Sequence, residues 1–132
     1  MIHNKYKQYR LFNYKKIILI FSICLIYNFT INTFYRPYIY LNKINDFGIA
    51  DIGNNITFIP GCYIFLYFFK KKFILSRKFD VWLYFGILSF IEILSAFIPY
   101  LGTFDIKDII GLFLGALILY LFIISDETLF ID

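Results

Sequence analysis

The sequence predicts an all-α integral membrane protein, a bundle of four transmembrane helices. Of its 132 residues, 61% are hydrophobic and only 17% are charged, against about 25% charged residues in ordinary soluble domains. The apolar residues form long runs instead of the alternating or one-sided patterns of soluble strands and helices. The runs are too long and too uniformly apolar for barrel strands, so we expect the spanning elements to be helices.

The first predicted helix follows a basic tail at residues 1–16. The basic residues of this tail are Lys5, Lys7, Arg10, Lys15 and Lys16. Because the tail contains no acid, the positive-inside rule predicts that it stays cytoplasmic. The first span is predicted at about residues 17–36, close to the roughly 20 residues that a bilayer requires, with Arg36 and Pro37 ending it. No small-residue cleavage site follows, so we expect the helix to be retained.

A polar segment separates the first span from the second. Residues 38–54 predict an interfacial loop or a re-entrant stretch, rich in Asn, Asp and Gly. The second span is predicted at about residues 55–69. An asparagine, Asn54 or Asn55, suits its N-cap, and Pro60 predicts bent or partly unwound opening turns.

The third and fourth spans are predicted at about residues 81–100 and 105–124, with a tight connection near Pro99 and Gly102 and a short C-terminal tail at residues 125–132. A second basic segment precedes the third span. Its residues are Lys70, Lys71, Lys72, Arg77 and Lys78. Two basic segments on one side of four spans predict a multi-pass protein with both termini in the cytoplasm.

The sequence offers few residues for enzyme chemistry. Cys24 and Cys62 fall inside apolar runs, where a thiol usually behaves as a small hydrophobe. The single histidine, His3, lies in the N-terminal tail. We therefore expect no metal, no cofactor and no histidine-based nucleophile relay. Nucleic acid is not an expected partner, because the positive charge comes in short patches at a membrane face; these patches could instead attract anionic lipids.

Glu92 is the acid predicted near the middle of the third span. A charged side chain there costs about 2.5–3.5 kcal/mol on insertion scales, which favours a functional site facing a headgroup or carrying a proton. The structural alternative is a neutral glutamic acid that hydrogen-bonds Ser89, Ser95 or a backbone carbonyl between helices.

Asp105 and Asp108 stand at the start of the fourth span. Capping by Asp105 and interaction of Asp108 with the helix dipole would explain them. The functional alternative is an acidic outer rim that, with Lys107, forms a polar mouth for a lipid headgroup or a drug. Asn54 and Asn55 are the further candidates for this polar site.

Gly111 and Gly115 have the GxxxG spacing, continued by Ala116. Such a stripe lets another helix approach closely. The rest of the bundle is the first expected partner, and a membrane-protein partner or a homo-oligomer is the alternative.

Residues 54–61, with the sequence NNITFIPG, resemble a signature of the VanZ-like family. Glu92, the later segment FDIKD at residues 104–108 and Gly115 follow in the order that this family shows. The family's Gln after the glutamate and its Arg before the aspartates have no counterpart. The resemblance implies a four-helix membrane protein of the kind linked to glycopeptide, chiefly teicoplanin, resistance. It implies no named reaction.

The leading functional hypothesis is therefore a VanZ-like protein of a bacterial inner membrane that alters envelope lipids or their accessibility. Glu92, Asp105 and Asp108 would form a polar site opening outward. The alternatives are a non-catalytic assembly subunit of a larger membrane complex and a small proton-coupled transporter. An enzyme would have only these three carboxyl groups as acid-base candidates.

Overall fold

The structure is a computed structural model that describes the backbone of residues 2–70, 74–98, 100 and 103–126, and the side chains of residues 14–69, 74–98, 100 and 103–126. Regular secondary structure in these residues is helical throughout, which confirms the all-α prediction. In chain order the elements are α1 (Ile2–Thr30), a π-helical turn (Ile31–Tyr35), α2 (Arg36–Leu41), α3 (Ile49–Ile56), α4 (Phe58–Lys70), α5 (Arg77–Ser95) and α6 (Ile106–Ser125).

Three helical stretches are long and apolar enough to cross a membrane. They are Tyr14–Leu41, Ile49–Phe69 and Ile106–Ser125. The predicted third span corresponds to α5, which is not among them because its 19 residues include four charged side chains. These are Arg77, Lys78, Asp80 and Glu92. The crossing of a membrane by all four predicted spans stays a prediction.

The first helix continues beyond Arg36 and Pro37, contrary to the predicted end. Residues Ile31–Tyr35 form a π-helical turn, in which the N–H of Arg36 donates to the carbonyl of Ile31. Pro37 then occupies the first turn of α2. A proline inside an α-helix would lose one hydrogen bond and clash with the carbonyl four residues earlier. The wider π turn just before Pro37 relieves this conflict, so the chain remains helical to Leu41.

The second helical stretch begins at Ile49, earlier than predicted. Gly48 precedes it with φ of 82°, a left-handed conformation that glycine adopts without strain. The side chain of Asp46 accepts hydrogen bonds from the N–H groups of Gly48 and Ala50. Asn54 and Asn55 therefore lie inside α3, and neither is the N-cap that the sequence predicted.

A break at Thr57 separates α3 from α4, in agreement with the bent opening predicted near Pro60. Pro60 has no N–H to donate to the carbonyl of Ile56, and its ring would crowd that carbonyl in a continuous helix. The freed Ile56 carbonyl lies against Gly115 of α6.

α6 is the centre of the bundle, because α3, α4 and α5 all pack against it. Its buried side chains Leu112, Ala116, Leu119 and Ile123 follow the three- and four-residue spacing of one helix face. Residues from the other helices complete the core. They are Ile17, Ile59, Tyr63, Ile64, Tyr67 and Val81.

Gly111 and Gly115 bring α3 and α6 into backbone contact. A Cβ atom on Gly111 would lie 2.5 Å from the Ile52 carbonyl oxygen, and one on Gly115 would lie 2.1 Å from the Ile56 carbonyl oxygen. Both distances are too short for any side chain. The prediction that these glycines pack within the bundle is confirmed, while an oligomer through the same stripe stays a prediction.

The start of α5 is built around a buried carboxylate. Asp80 is 1% exposed and accepts hydrogen bonds from the backbone N–H groups of Ile74, Leu75 and Ser76. The Ser76 hydroxyl caps the helix by accepting from the Phe79 N–H. These contacts start α5 at Arg77, before the predicted residue 81. α5 ends at Ser95, before the predicted residue 100.

The end of α6 lies beside α1 at Lys16. Lys16 Nζ and Asp126 Oδ2 are 2.6 Å apart, so the early part of α1 meets the end of α6. The predicted N-terminal tail is helical from Ile2 onward. The connection predicted at Pro99 and Gly102, the basic residues 71–72 and the C-terminal tail after Asp126 lie outside the described residues.

Replacement of Gly115 by Ala should destabilise the bundle, because the added methyl group would overlap the Ile56 carbonyl. Overpacking of this kind costs about 1–3 kcal/mol. Gly86 on α5 is the matched control, since a Cβ there meets nothing within 4 Å. Thermal unfolding in detergent should show a lowered Tm for Gly115→Ala and an unchanged or raised Tm for Gly86→Ala. Equal stability of the two variants would contradict the α3–α6 contact.

Replacement of Asp80 by Ala should also lower the unfolding temperature, because three backbone N–H groups would lose their acceptor. A buried unsatisfied donor costs about 1–3 kcal/mol. Asp80→Asn keeps one side-chain carbonyl oxygen as an acceptor, so its unfolding temperature should fall less than that of Asp80→Ala. The same unfolding assay compares the two variants, and an equal loss in both would show that the hydrogen bonds are not the cause.

Candidate functional site

The structure joins two of the predicted site residues directly. The Asn55 amide Nδ2 donates a hydrogen bond of 2.6 Å to Oδ1 of Asp108. Asn55 lies within α3, and Asp108 lies in the first turn of α6. The contact follows from the close helix approach, since Asn55 Cβ would be 2.8 Å from a Cβ on Gly111.

Asp105 is the N-cap of α6, which confirms the capping role predicted for it. Its Oδ1 accepts a hydrogen bond of 2.9 Å from the backbone N–H of Lys107, and its φ and ψ are extended. The backbone N–H of Asp108 donates a hydrogen bond of 3.0 Å to the Asp105 carbonyl. The two aspartates thus share one helix end but differ in role, since Asp105 caps the backbone and Asp108 contacts α3.

Glu92 is half-buried and lies in the last turn of α5, not near the middle of the helix as the sequence predicted. Its carboxylate accepts a hydrogen bond of 3.4 Å from the Ser95 hydroxyl, which also donates to the Glu92 carbonyl at 2.6 Å. Within the described residues no lysine or arginine forms an ion pair with Glu92. The Ser89 hydroxyl, one turn earlier, is buried without a described hydrogen-bond partner.

Asn54 belongs to a different set of contacts. Asn32 Nδ2 donates to Asn54 Oδ1 at 2.7 Å. Asn28 Nδ2 donates to the Asn54 carbonyl at 3.3 Å and to Thr57 Oγ1 at 3.4 Å. We call Asn28, Asn32, Asn54 and Thr57 the amide network. It joins α3 to α1 and the π-helical turn, so Asn54 faces α1 while its neighbour Asn55 faces α6.

Sequence reasoning missed the most highly charged cluster in the described part of the chain. Asp51, only 18% exposed in its side chain, lies 3.3 Å from Arg36 Nη2 and 3.3 Å from Lys107 Nζ. It also accepts a hydrogen bond from the Tyr40 hydroxyl. The Arg36 guanidinium lies 5.6 Å from the centre of the Tyr40 ring. We call these four residues the Asp51 cluster.

A signal for the Asp51 cluster was present in the sequence. Asp51 and Asn55 are four residues apart, which places both on one face of a helix. The polar composition of residues 38–54 predicted a loop, so the face was not recognised. With α3 beginning at Ile49, this face meets Lys107 and Asp108 at the start of α6.

The site presents polar side chains of both charges. Among the described residues, no group of three or more His, Cys, Asp or Glu side chains is arranged to hold a metal ion. The Arg36 and Lys107 side chains are 39% and 41% exposed, so they can still contact an anionic group. The carboxylates of Asp108 and Glu92 can accept hydrogen bonds or a proton. The arrangement suits recognition of a polar headgroup.

These features define a small all-helical membrane protein whose polar side chains gather where α3 meets α6. A family model described as VanZ/LLP1 matches residues 3–130. The chain therefore belongs to the VanZ/LLP1 family, as the sequence resemblance predicted. A search of curated proteins found no match. A search of solved structures also found none.

The bond between Asn55 and Asp108 should appear as a coupling energy. Asn55→Ala and Asp108→Ala should each lower the unfolding free energy, and the double variant should lose less than the sum. A hydrogen bond to a charged group contributes about 1.5–3 kcal/mol, and contacting residues are coupled by about 0.5–3 kcal/mol. Chemical unfolding of the four proteins in detergent measures the cycle. Simple additivity would mean that the two side chains do not interact.

Proposed function

We propose that this VanZ-like membrane protein acts on the bacterial cell envelope by altering the accessibility of envelope lipids, and so changes susceptibility to glycopeptide antibiotics. The observation that carries this proposal is the joining of Asn55 to Asp108 beside the Asp51 cluster. Family membership supports a membrane protein of this kind. The site combines exposed cations with carboxylates, and such a combination suits a lipid headgroup.

The proposed orientation puts this site on the outer face of the cytoplasmic membrane. Lys107 and Asp126 flank opposite ends of α6, whose 20 residues span about 30 Å. The Asp126 end also carries Lys16, and the basic residues Arg77 and Lys78 begin α5. The positive-inside rule favours a cytoplasmic location for basic ends. The Asp51 cluster would then face outward.

The assembly-subunit alternative loses one of its supports. It relied on Gly111 and Gly115 as a contact surface for partners, and α3 occupies that surface within the chain. Its remaining support is the exposed apolar surface of the helices, which contact with lipid also explains.

The test is glycopeptide susceptibility in a host that expresses the chain at matched membrane levels. Glu92→Gln and Asp108→Asn replace an ionisable carboxyl group with an amide of similar size that keeps one hydrogen-bonding oxygen, so both variants should lose most of the protection against teicoplanin that the wild type gives. Asp126→Asn is the matched control at the other end of α6 and should keep the protection of the wild type. A membrane-active lipopeptide is the second probe.

Three outcomes of this experiment are informative. Loss in both site variants, with the Asp126→Asn control active, supports an envelope role for the site. Full protection by Glu92→Gln and Asp108→Asn would remove these carboxylates from the function. No protection by the wild type would reject the proposed envelope role and favour the assembly-subunit alternative.

A further inference from the structure

A cleft of about 460 Å³ lies between α1 and the α3–α4 segment, and its described lining includes none of the four residues of the Asp51 cluster. Ligand pockets usually measure about 300–1,000 Å³. Phe21 and Leu25 of α1 and Phe58 and Phe65 of α4 form much of its wall. The walls are therefore mainly apolar and suit a hydrocarbon chain.

One end of the cleft is polar. Asn28, Asn54, Asn55 and Thr57 line it. Asn54 uses Oδ1 to accept from Asn32, and Thr57 uses Oγ1 to accept from Asn28. Within the described residues, neither the Asn54 Nδ2 group nor the Thr57 hydroxyl hydrogen has an acceptor. Unpaired donors are costly in an apolar environment, so an acceptor in the cleft would stabilise them.

The polar end and the apolar walls of the cleft are arranged along the bundle in the same order as the polar and apolar parts of a bilayer lipid. Asn54 lies about one helical turn from Asp51, at the polar end of the bundle. Phe21 is nearer the Lys16 end of α1, about 10 Å along the helix from Asn28. A lipid with its polar linkage at Asn54 would direct its chain along α1 toward Phe21.

The cleft opens toward the surface that would contact lipid. Leu25, Phe58 and Phe65 are 56%, 48% and 52% exposed, and they belong to helical stretches apolar enough to span a membrane. Among the residues that the structure describes, no charged side chain lines the cleft. This neutral lining favours a carbonyl oxygen over a phosphate as the polar partner.

We infer that the cleft holds one acyl chain of a membrane glycerolipid, with the ester carbonyl accepting hydrogen bonds from Asn54 Nδ2 and the Thr57 hydroxyl. Asn55 joins this cleft to the functional site, because it lines the cleft and its amide donates to Asp108. The inference deepens the proposed function, on which its physiological meaning rests.

The experiment maps lipid contacts on the full chain. The protein is reconstituted in phosphatidylcholine and phosphatidylglycerol vesicles that contain a phosphatidylcholine with a photoreactive diazirine in one acyl chain. After irradiation, peptide mass spectrometry locates the label. Residues of the cleft, such as Phe21 and Phe65, should be labelled several-fold more than Ile87 and Phe90, which are exposed on α5. Equal labelling of the two regions would overturn the inference.

A cleft-filling variant gives an independent measurement. Gly61 lines the cleft, and a Cβ on it meets nothing within 4 Å. Gly61→Leu should therefore occupy the space without displacing a neighbour and lower labelling of the cleft several-fold. Gly86→Leu is the matched control, because Gly86 is equally open but lies on α5. Unchanged labelling in Gly61→Leu would contradict the inference, and the wild-type map decides alone if that variant fails to fold.

Competition tests the ester contact. Unlabelled ester-linked phosphatidylcholine should reduce labelling of the cleft more strongly than an ether-linked analogue, which lacks the carbonyl acceptor. Equal competition would exclude the hydrogen bonds from Asn54 and Thr57. If the wild type protects against glycopeptides but its cleft is not labelled, only the lipid site is rejected. If the cleft is specifically labelled but the wild type gives no protection, only the proposed function is rejected.

Discussion

The close approach of α3 to α6 at Gly111 and Gly115 is the constraint on which the arrangement of polar side chains depends. Helices surrounded by lipid gain little from the hydrophobic effect on associating, so van der Waals packing between small residues largely determines their contacts. Here the carbonyls of Ile52 and Ile56 occupy the space where side chains would otherwise stand. The short separation of α3 and α6 places Asn55 within hydrogen-bond reach of Asp108.

The two described prolines shape the segments that reach α6. The π-helical turn before Pro37 keeps the chain helical, so Arg36 and Tyr40 remain on a rigid element that contacts Asp51. Pro60 instead separates α3 from α4 and frees the carbonyl that lies against Gly115. Each proline removes one backbone donor. The helix nevertheless continues through Pro37, whereas it is interrupted just before Pro60.

The sequence predicted the features that depend on local chemistry. Asp105 was recognised as a helix cap, and the spacing of Gly111 and Gly115 indicated a packing surface, because both signals are read from neighbouring residues. Asp51 and Asp80 were missed because their partners come from other segments or from a backbone turn. Polar composition does not distinguish a loop from a short helix whose polar face is covered by the bundle.

Each end of α6 carries an ion pair to another helix, and these pairs must be distinguished from the carboxyl group of Glu92. Lys107 pairs with Asp51 near the start of α6, and Asp126 pairs with Lys16 at its end. Partly exposed ion pairs stabilise a fold by little, so packing holds the bundle together and the pairs keep its ends polar. Glu92 differs, because no lysine or arginine of the described residues forms an ion pair with it. The helix dipole disfavours an acid in the last turn of α5, which is the physical reason to test Glu92 as a functional residue.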